Sequence, residues 1–143
     1  MGVIRTDPNE QIALRLAEVH TEIRWLLDTY KPVAVSVERI FAQKNLNTII
    51  GVAQASGLVL AEAAGRGIHV VEYSPSAVKS VVAGDGRADK AQVTEMVQMF
   101  LGLAKPPKPA DVADAAAVAL CHLAHDPTLV AWRTTARLID RQA

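Results

Sequence analysis

Only two stretches of this 143-residue chain alternate as well-formed β-strands do, and six helical stretches surround them. In Val33-Ala34-Val35-Ser36-Val37-Glu38, Val33, Val35 and Val37 share one strand face and Ala34, Ser36 and Glu38 the other. Ile68-His69-Val70-Val71-Glu72 reads as the second strand, and Val3-Ile4-Arg5 as the frayed end of a third. So small a sheet leaves helix faces uncovered. The chain reads as an α/β domain that begins in the middle, with one domain expected over residues 1–143.

The helices are marked by period and punctuation. Asp7-Pro8-Asn9-Glu10 has the form of a capping box with Pro at the first helical position. Behind it Ile12, Leu16, Val19, Ile23, Leu26, Leu27 and Tyr30 step by three and four, until Lys31-Pro32 ends the helix. Residues 46–65 predict a second helix with a stripe of small residues, Ala53, Gly57 and Ala61, which permits close helix contact inside the domain or across a dimer. Gly65-Arg66-Gly67 stops it. Ser74-Pro75 caps a short helix to about Val82, Gly84-Asp85-Gly86 turns, and Val93, Met96, Val97, Phe100 and Leu101 mark another helix. Lys105-Pro106-Pro107-Lys108-Pro109 is a stiff connector into an alanine-rich helix. Asp126-Pro127 starts a last, basic helix with Trp132, Arg133, Arg137 and Arg141.

Composition sets bounds on the rest. Half the residues are hydrophobic, enough for a real core without disulfides. The single Cys121 excludes an internal disulfide, fits a reducing cytoplasm, and reads as a small buried residue. No basic stretch and apolar core follow Met1, so no signal peptide is expected. The longest uncharged stretch, Leu46 to Ala61, is too short and too interrupted for a membrane span. Net charge is zero, with 15 basic and 15 acidic residues, so bulk electrostatics do not suggest nucleic acid. Residues 39–108 hold eight Lys/Arg against five acids, an excess that fits a solvated surface as well as a phosphate-binding face.

Three carboxylates carry the chemistry. Glu38 ends the first strand, and Asp111 and Asp114 open the alanine-rich helix with Pro109 just inside its start. Their i, i+3 spacing puts both aspartates on one helix face. A strand end and a helix start could thus form an acidic metal pocket, whose oxygen donors suit Mg²⁺ or Mn²⁺ rather than zinc. The competing readings are a solvated Glu and an Asp pair that complements the helix dipole, favourable by roughly 0.3–1 kcal/mol. His122 and His125 each lie eleven residues beyond an aspartate, a rise of about 16 Å that no shared ligand shell spans. Gly84–Gly86 with Lys90 lacks the Gly-Lys-Ser/Thr ending of a nucleotide-binding loop. Phe41, surrounded by Arg39, Gln43, Lys44 and Asn45, fits an exposed loop where an aromatic stacks on a base.

Four segments recur together in a known family. Val37-Glu38-Arg39-Ile40-Phe41-Ala42-Gln43-Lys44-Asn45, the Ser74–Lys79 helix, Gly84-Asp85-Gly86-Arg87-Ala88-Asp89-Lys90-Ala91-Gln92-Val93 and Ala110-Asp111-Val112-Ala113-Asp114-Ala115 stand in this order and spacing. The chain resembles the RuvC family of Holliday junction resolvases over nearly its whole length. The resemblance implies an RNase H-like α/β fold, a mixed sheet flanked by helices. It implies a homodimeric, cytoplasmic endodeoxyribonuclease with two Mg²⁺ ions per intact site, Mn²⁺ being an alternative, that nicks four-way DNA junctions symmetrically. It also implies a branch-migration helicase complex of RuvA and RuvB as partner, and no membrane. Glu38, Asp111 and Asp114 then match three of four catalytic, metal-binding carboxylates. Phe41 matches the aromatic at the junction centre, Asn45 falls in the same DNA-binding segment, and Lys79 and Lys90 match basic residues beside the cleaved strand.

The resemblance also marks a departure. The family's first strand, with an aspartate in an Asp-Pro-Gly turn, and the two antiparallel strands after it have no counterpart here. Asp7-Pro8 precedes a helix and Asn9 replaces the glycine, so Asp7 is read as an N-cap. The expectation is an N-terminally truncated resolvase domain whose first three strands are largely absent, which as it stands lacks the first catalytic aspartate. The rival expectations are a catalytically incompetent junction-binding dimer and a non-enzymatic helical interaction module.

Overall fold

The computed structural model describes residues 2–40 and 46–126. The elements run α1 (Ile12–Tyr30), β1 (Ala34–Glu38), α2 (Leu46–Gly65), β2 (His69–Tyr73), α3 (Pro75–Ala83), α4 (Lys90–Phe100) and α5 (Ala110–His125). They divide into two compact units, Met1–Ser74 and Pro75–Ala143. Phe41, Asn45 and the expected helix after Asp126 lie outside the described residues. Among the described residues no helix is long and apolar enough to cross a membrane.

In the first unit β1 and β2 pair in parallel, Ala34 opposite His69 and Glu38 opposite Tyr73. Parallel neighbours need a crossover, and α2 supplies it while packing on α1 and β2. Ile23 and Leu27 of α1 and Ala63 of α2 are buried. The two helices are also tied by charge: His20 Nε2 stands 2.5 Å from Glu62 Oε1, and Arg66 pairs with Glu62 and, at 3.2 Å, with Asp28. The α2 helix closes on Gly67 at φ 69°, where the Ile68 N–H reaches the Ala63 carbonyl and the Gly67 N–H that of Ala64. That double bond satisfies two end carbonyls and requires a left-handed residue.

Three expectations change here. Val33 lies outside β1 and is 91% exposed, and residues 3–5 form no strand. Asp7 does not cap α1: its Oδ1 accepts from the Asn9 N–H at 2.9 Å and its carbonyl from the Glu10 N–H, closing a turn. The helix starts four residues later, with Gln11 at the cap position and no side-chain capping bond. The physical reason lies in the flanks. Thr6 and Gln11 occupy the two positions where apolar residues staple a capping box to its helix, so the local Asx bond wins.

The second unit is three helices around a continuous apolar core. Val78 and Val82 of α3, Val93 and Val97 of α4, and Val112, Ala113, Ala117, Val118 and Cys121 of α5 are buried. The spacings of four, and of four and five along α5, each define one helix face. Every such valine stabilises the unit by about 1.5–3 kcal/mol. The α4 helix ends as α2 does, with Gly102 at φ 60° and the Leu103 N–H on the Gln98 carbonyl. Pro109 sits at the N-cap of α5, one residue before the helix rather than just inside it.

Candidate active site

Glu38 is the last residue of β1, exposed, at the strand's C-terminal end. Beside it the Arg39 N–H donates to the Tyr73 carbonyl at 2.7 Å, so the ladder holds up to the point where Glu38 emerges. The segment that follows, with Phe41 and Asn45, lies outside the described residues.

The second unit brings a larger part of the expected set together. Asp111 stands exposed in the first turn of α5, and Asp114 follows on the same face, half-buried. Lys90, the first residue of α4, donates from Nζ to Asp114 Oδ2 at 3.3 Å. Carboxylates belong at a helix start, where the backbone dipole favours them by roughly 0.3–1 kcal/mol. A lysine in that position is opposed by the same field, and the acid nearest to it on α4 is Asp89 at the N-cap. The ion pair does little for stability, since the Lys90 side chain is 77% exposed and solvent screens such pairs to about 0–1 kcal/mol. Lys79 is half-buried on α3.

Residues that the sequence reading passed over hold this arrangement. Asp89 Oδ1 accepts from the Gln92 N–H and Gln92 Oε1 accepts from the Asp89 N–H, both at 2.9 Å, a complete capping box. The signal was present as Asp-x-x-Gln followed by the valine run of α4. Ala88 and Val93, at the staple positions of this box, are both buried. Asp85 organises the preceding turn, accepting from Arg87 N–H on its side chain and from Ala88 N–H on its carbonyl.

Among the described residues no three His, Cys, Asp or Glu side chains gather at one point. The donor chemistry nevertheless suits a hard cation: carboxylate oxygens alone, with no sulfur beside them. Cys121, further along α5, is fully buried, and burial pushes its thiol pKa up. It is a packing residue, as its sequence context implied.

The family model described as crossover junction endodeoxyribonuclease RuvC matches residues 1–122. The chain belongs to the RuvC family. RuvC of Streptomyces avermitilis is 50% identical over 143 residues, 100% of this chain and 77% of that protein. RuvC of Frankia casuarinae is 48% identical over 136 residues, 95% of this chain and 79% of that one. RuvC of Saccharopolyspora erythraea is 49% identical over 127 residues, 89% of this chain, and there the match spans 64% of the relative's length. Among solved structures, Thermus thermophilus RuvC in complex with Holliday junction substrate superposes with a TM-score of 0.79 at 37% identity, covering 85% of this chain and 73% of that one. The α/β, RNase H-like class implied by the sequence resemblance is the class of these RuvC neighbours.

Proposed function

We propose that the chain acts on four-way DNA junctions as a RuvC-type crossover junction endodeoxyribonuclease, hydrolysing phosphodiester bonds. The observation that carries this reading is the constellation of Asp111, Asp114 and Lys90 at the starts of α4 and α5. It occurs in a chain about half identical to proteins named for that activity. Glu38, at the end of β1, is assigned as a third metal-binding carboxylate. A single domain over residues 1–143 remains part of the proposal.

RuvC nucleases are metal-dependent. Glu38, Asp111 and Asp114 would hold the metal, which we assign as Mg²⁺, with Mn²⁺ as the alternative and two ions per site. When bound it supplies activation of water and stabilisation of the departing oxygen. The chain's own groups do the remainder. Asp111 and Asp114 keep their oxygens on one helix face, and Lys90 presents a positive charge to the phosphate or the leaving oxygen. Lys79 and Asn45 contact the strand backbone, and Phe41 stacks on a base at the junction centre, worth roughly 1–3 kcal/mol.

A homodimer would match the two-fold symmetry of the junction. In support, the Ala53, Gly57 and Ala61 stripe of α2 is exposed, and a Cβ built at Gly57 meets no atom within 4 Å. A cytoplasmic location and work alongside a RuvA–RuvB helicase complex complete the proposal.

The test is a labelled synthetic junction incubated with Mg²⁺ or Mn²⁺ and the chain joined to a RuvC first strand that carries the fourth carboxylate. The chain by itself, which has no counterpart of that aspartate, should nick poorly or not at all. From the joined chain paired symmetric nicks are expected, lost on the order of 10²-fold or more in Asp114→Asn. Binding without metal is expected to survive that change, because a carboxylate repels DNA phosphates. Binding with no nicking in either metal would leave the junction-binding dimer as the reading. Absence of both would overturn the assignment.

A further inference from the structure

We propose that Asp89 is a positioning residue for Lys90. Its reciprocal cap with Gln92 fixes the first turn of α4 so that the Lys90 ammonium stands beside Asp114. The proposal rests on the nuclease reading for its consequence, but its geometry stands apart from it.

Lys90 occupies a place that helix electrostatics disfavour, and its exposed pair with Asp114 adds little stability. A cation kept there against local preference is the kind of conflict found at functional sites. What offsets it is the carboxylate one residue earlier. Asp89 places a negative charge at the helix start and takes the Gln92 N–H, while Gln92 returns a bond to the Asp89 N–H. On the other side the Thr94 hydroxyl donates to the Lys90 carbonyl at 2.8 Å. The Lys90 backbone is therefore bracketed before and after.

The bracket is itself anchored. Ala88, directly before Asp89, is buried, and its N–H is held by the Asp85 carbonyl at 3.0 Å. Gly86 lies against α3 so closely that an added Cβ would stand 3.3 Å from the Ser76 carbonyl oxygen. Position is thus passed from α3 through the turn to Asp89, and from Asp89 to Lys90. Asp89 touches no reacting group; it acts through the lysine.

A purely structural cap and a positioning cap make different demands. If Asp89 acts through Lys90, Asp89→Ala should slow junction nicking by the chain joined to the RuvC first strand roughly ten- to hundredfold, the cost of a slightly misplaced group. It should add almost nothing in a Lys90→Ala background, and Asp89→Asn, which keeps the hydrogen-bonded cap and loses only the charge, should restore most of the rate. A cap that only stabilises the helix predicts losses that add in the double variant and follow the melting temperature. Asp89→Gly, which removes the same side-chain bond at a smaller cost to the helix, carries the same expectations where Asp89→Ala does not fold. A second readout uses the protein without DNA or metal: ¹⁵N relaxation of the Lys90 ammonium. Asp89→Ala and Asp114→Asn should each free it, and Asp89→Asn should not. Unchanged relaxation in folded Asp89→Ala overturns the proposal. Altered relaxation in a chain that neither nicks nor binds junctions upholds the positioning of Lys90 and removes the nuclease reading instead.

Discussion

The two units of the chain bury their apolar residues very differently. Among the described residues the second unit hides valines, alanines and a cysteine from all three of its helices, with Val97 and Cys121 fully buried. Among the described residues the first hides only Ile23, Leu27 and Ala63 and exposes Ile12, Leu14, Trp25, Tyr30, Ile50 and Val52. The second, which exposes Met99, Phe100, Leu101 and Leu123, buries more apolar residues than it exposes. The difference follows from geometry. Three helices close a core among themselves once each presents an i, i+4 face, whereas a two-stranded parallel sheet is too narrow to cover the helices beside it. Asp111, Asp114 and Lys90 therefore stand on a closed support. Glu38 stands at the end of a narrow sheet with a shallow core beneath it.

The sharpest way to break this contrast is to hollow out each core. Val97→Ala should cost about 2–4 kcal/mol, since it removes fully buried methyls and leaves a cavity. Val33→Ala, at a residue 91% exposed, should stay within about 0.5 kcal/mol. Paired denaturant melts measure both, and equal losses would show that the first unit is as tightly packed as the second.

A pH series probes the same core through Cys121. Burial raises the thiol pKa in the native state, so above the ordinary thiol range, from about pH 8.5, the unfolded chain releases a proton that the native chain keeps. The thiol's contribution is fully present below that pH and is lost as pH rises toward the native value. Wild type should lose stability with alkaline pH more steeply than Cys121→Ala, and thiol labelling should be slow until the chain unfolds. Fast stoichiometric labelling of the native chain would place Cys121 outside the core.

The caps give a smaller and cleaner comparison. Asp7-x-x-Glu10 and Asp89-x-x-Gln92 carry the same signature, and only the second caps a helix. Asp89→Ala should cost about 0.5–2 kcal/mol, whereas Asp7→Ala, in an exposed turn, should fall within about 0.5 kcal/mol. Smallest of all should be Gly57→Ala. Its Cβ meets nothing in the chain, so the helix should gain up to about 1 kcal/mol. Sedimentation of that variant sharpens the dimer proposal: weaker association despite a more stable fold would put the α2 stripe at the interface.

Much of the fold was legible before any coordinates. The bounds of α2, the strand ending in Glu38 and the aspartate face of α5 follow from period and punctuation. What misled was local form without its flanks. Asp7 has the letters of a cap, but Thr6 and Gln11 offer no staple, and Val33 continues the alternation of a strand that starts one residue later. The small-residue stripe of α2 allowed packing inside the domain or across a dimer. In the structure it is exposed, because α1 and β2 meet α2 on other faces.

The sequence by itself determined that Asp111 and Asp114 would share a face, because i, i+3 neighbours are adjacent on any α-helix. It likewise determined that Glu38 would emerge where a strand ends. Only the tertiary structure decided that Lys90 reaches Asp114 across 24 residues of chain. That meeting depends on α4 packing against α5 over a common core and on the cap that sets where α4 begins. The cap has a local signature in Asp89-x-x-Gln92, but no local preference encodes the packing, and for a lysine at a helix start the local preference points the other way.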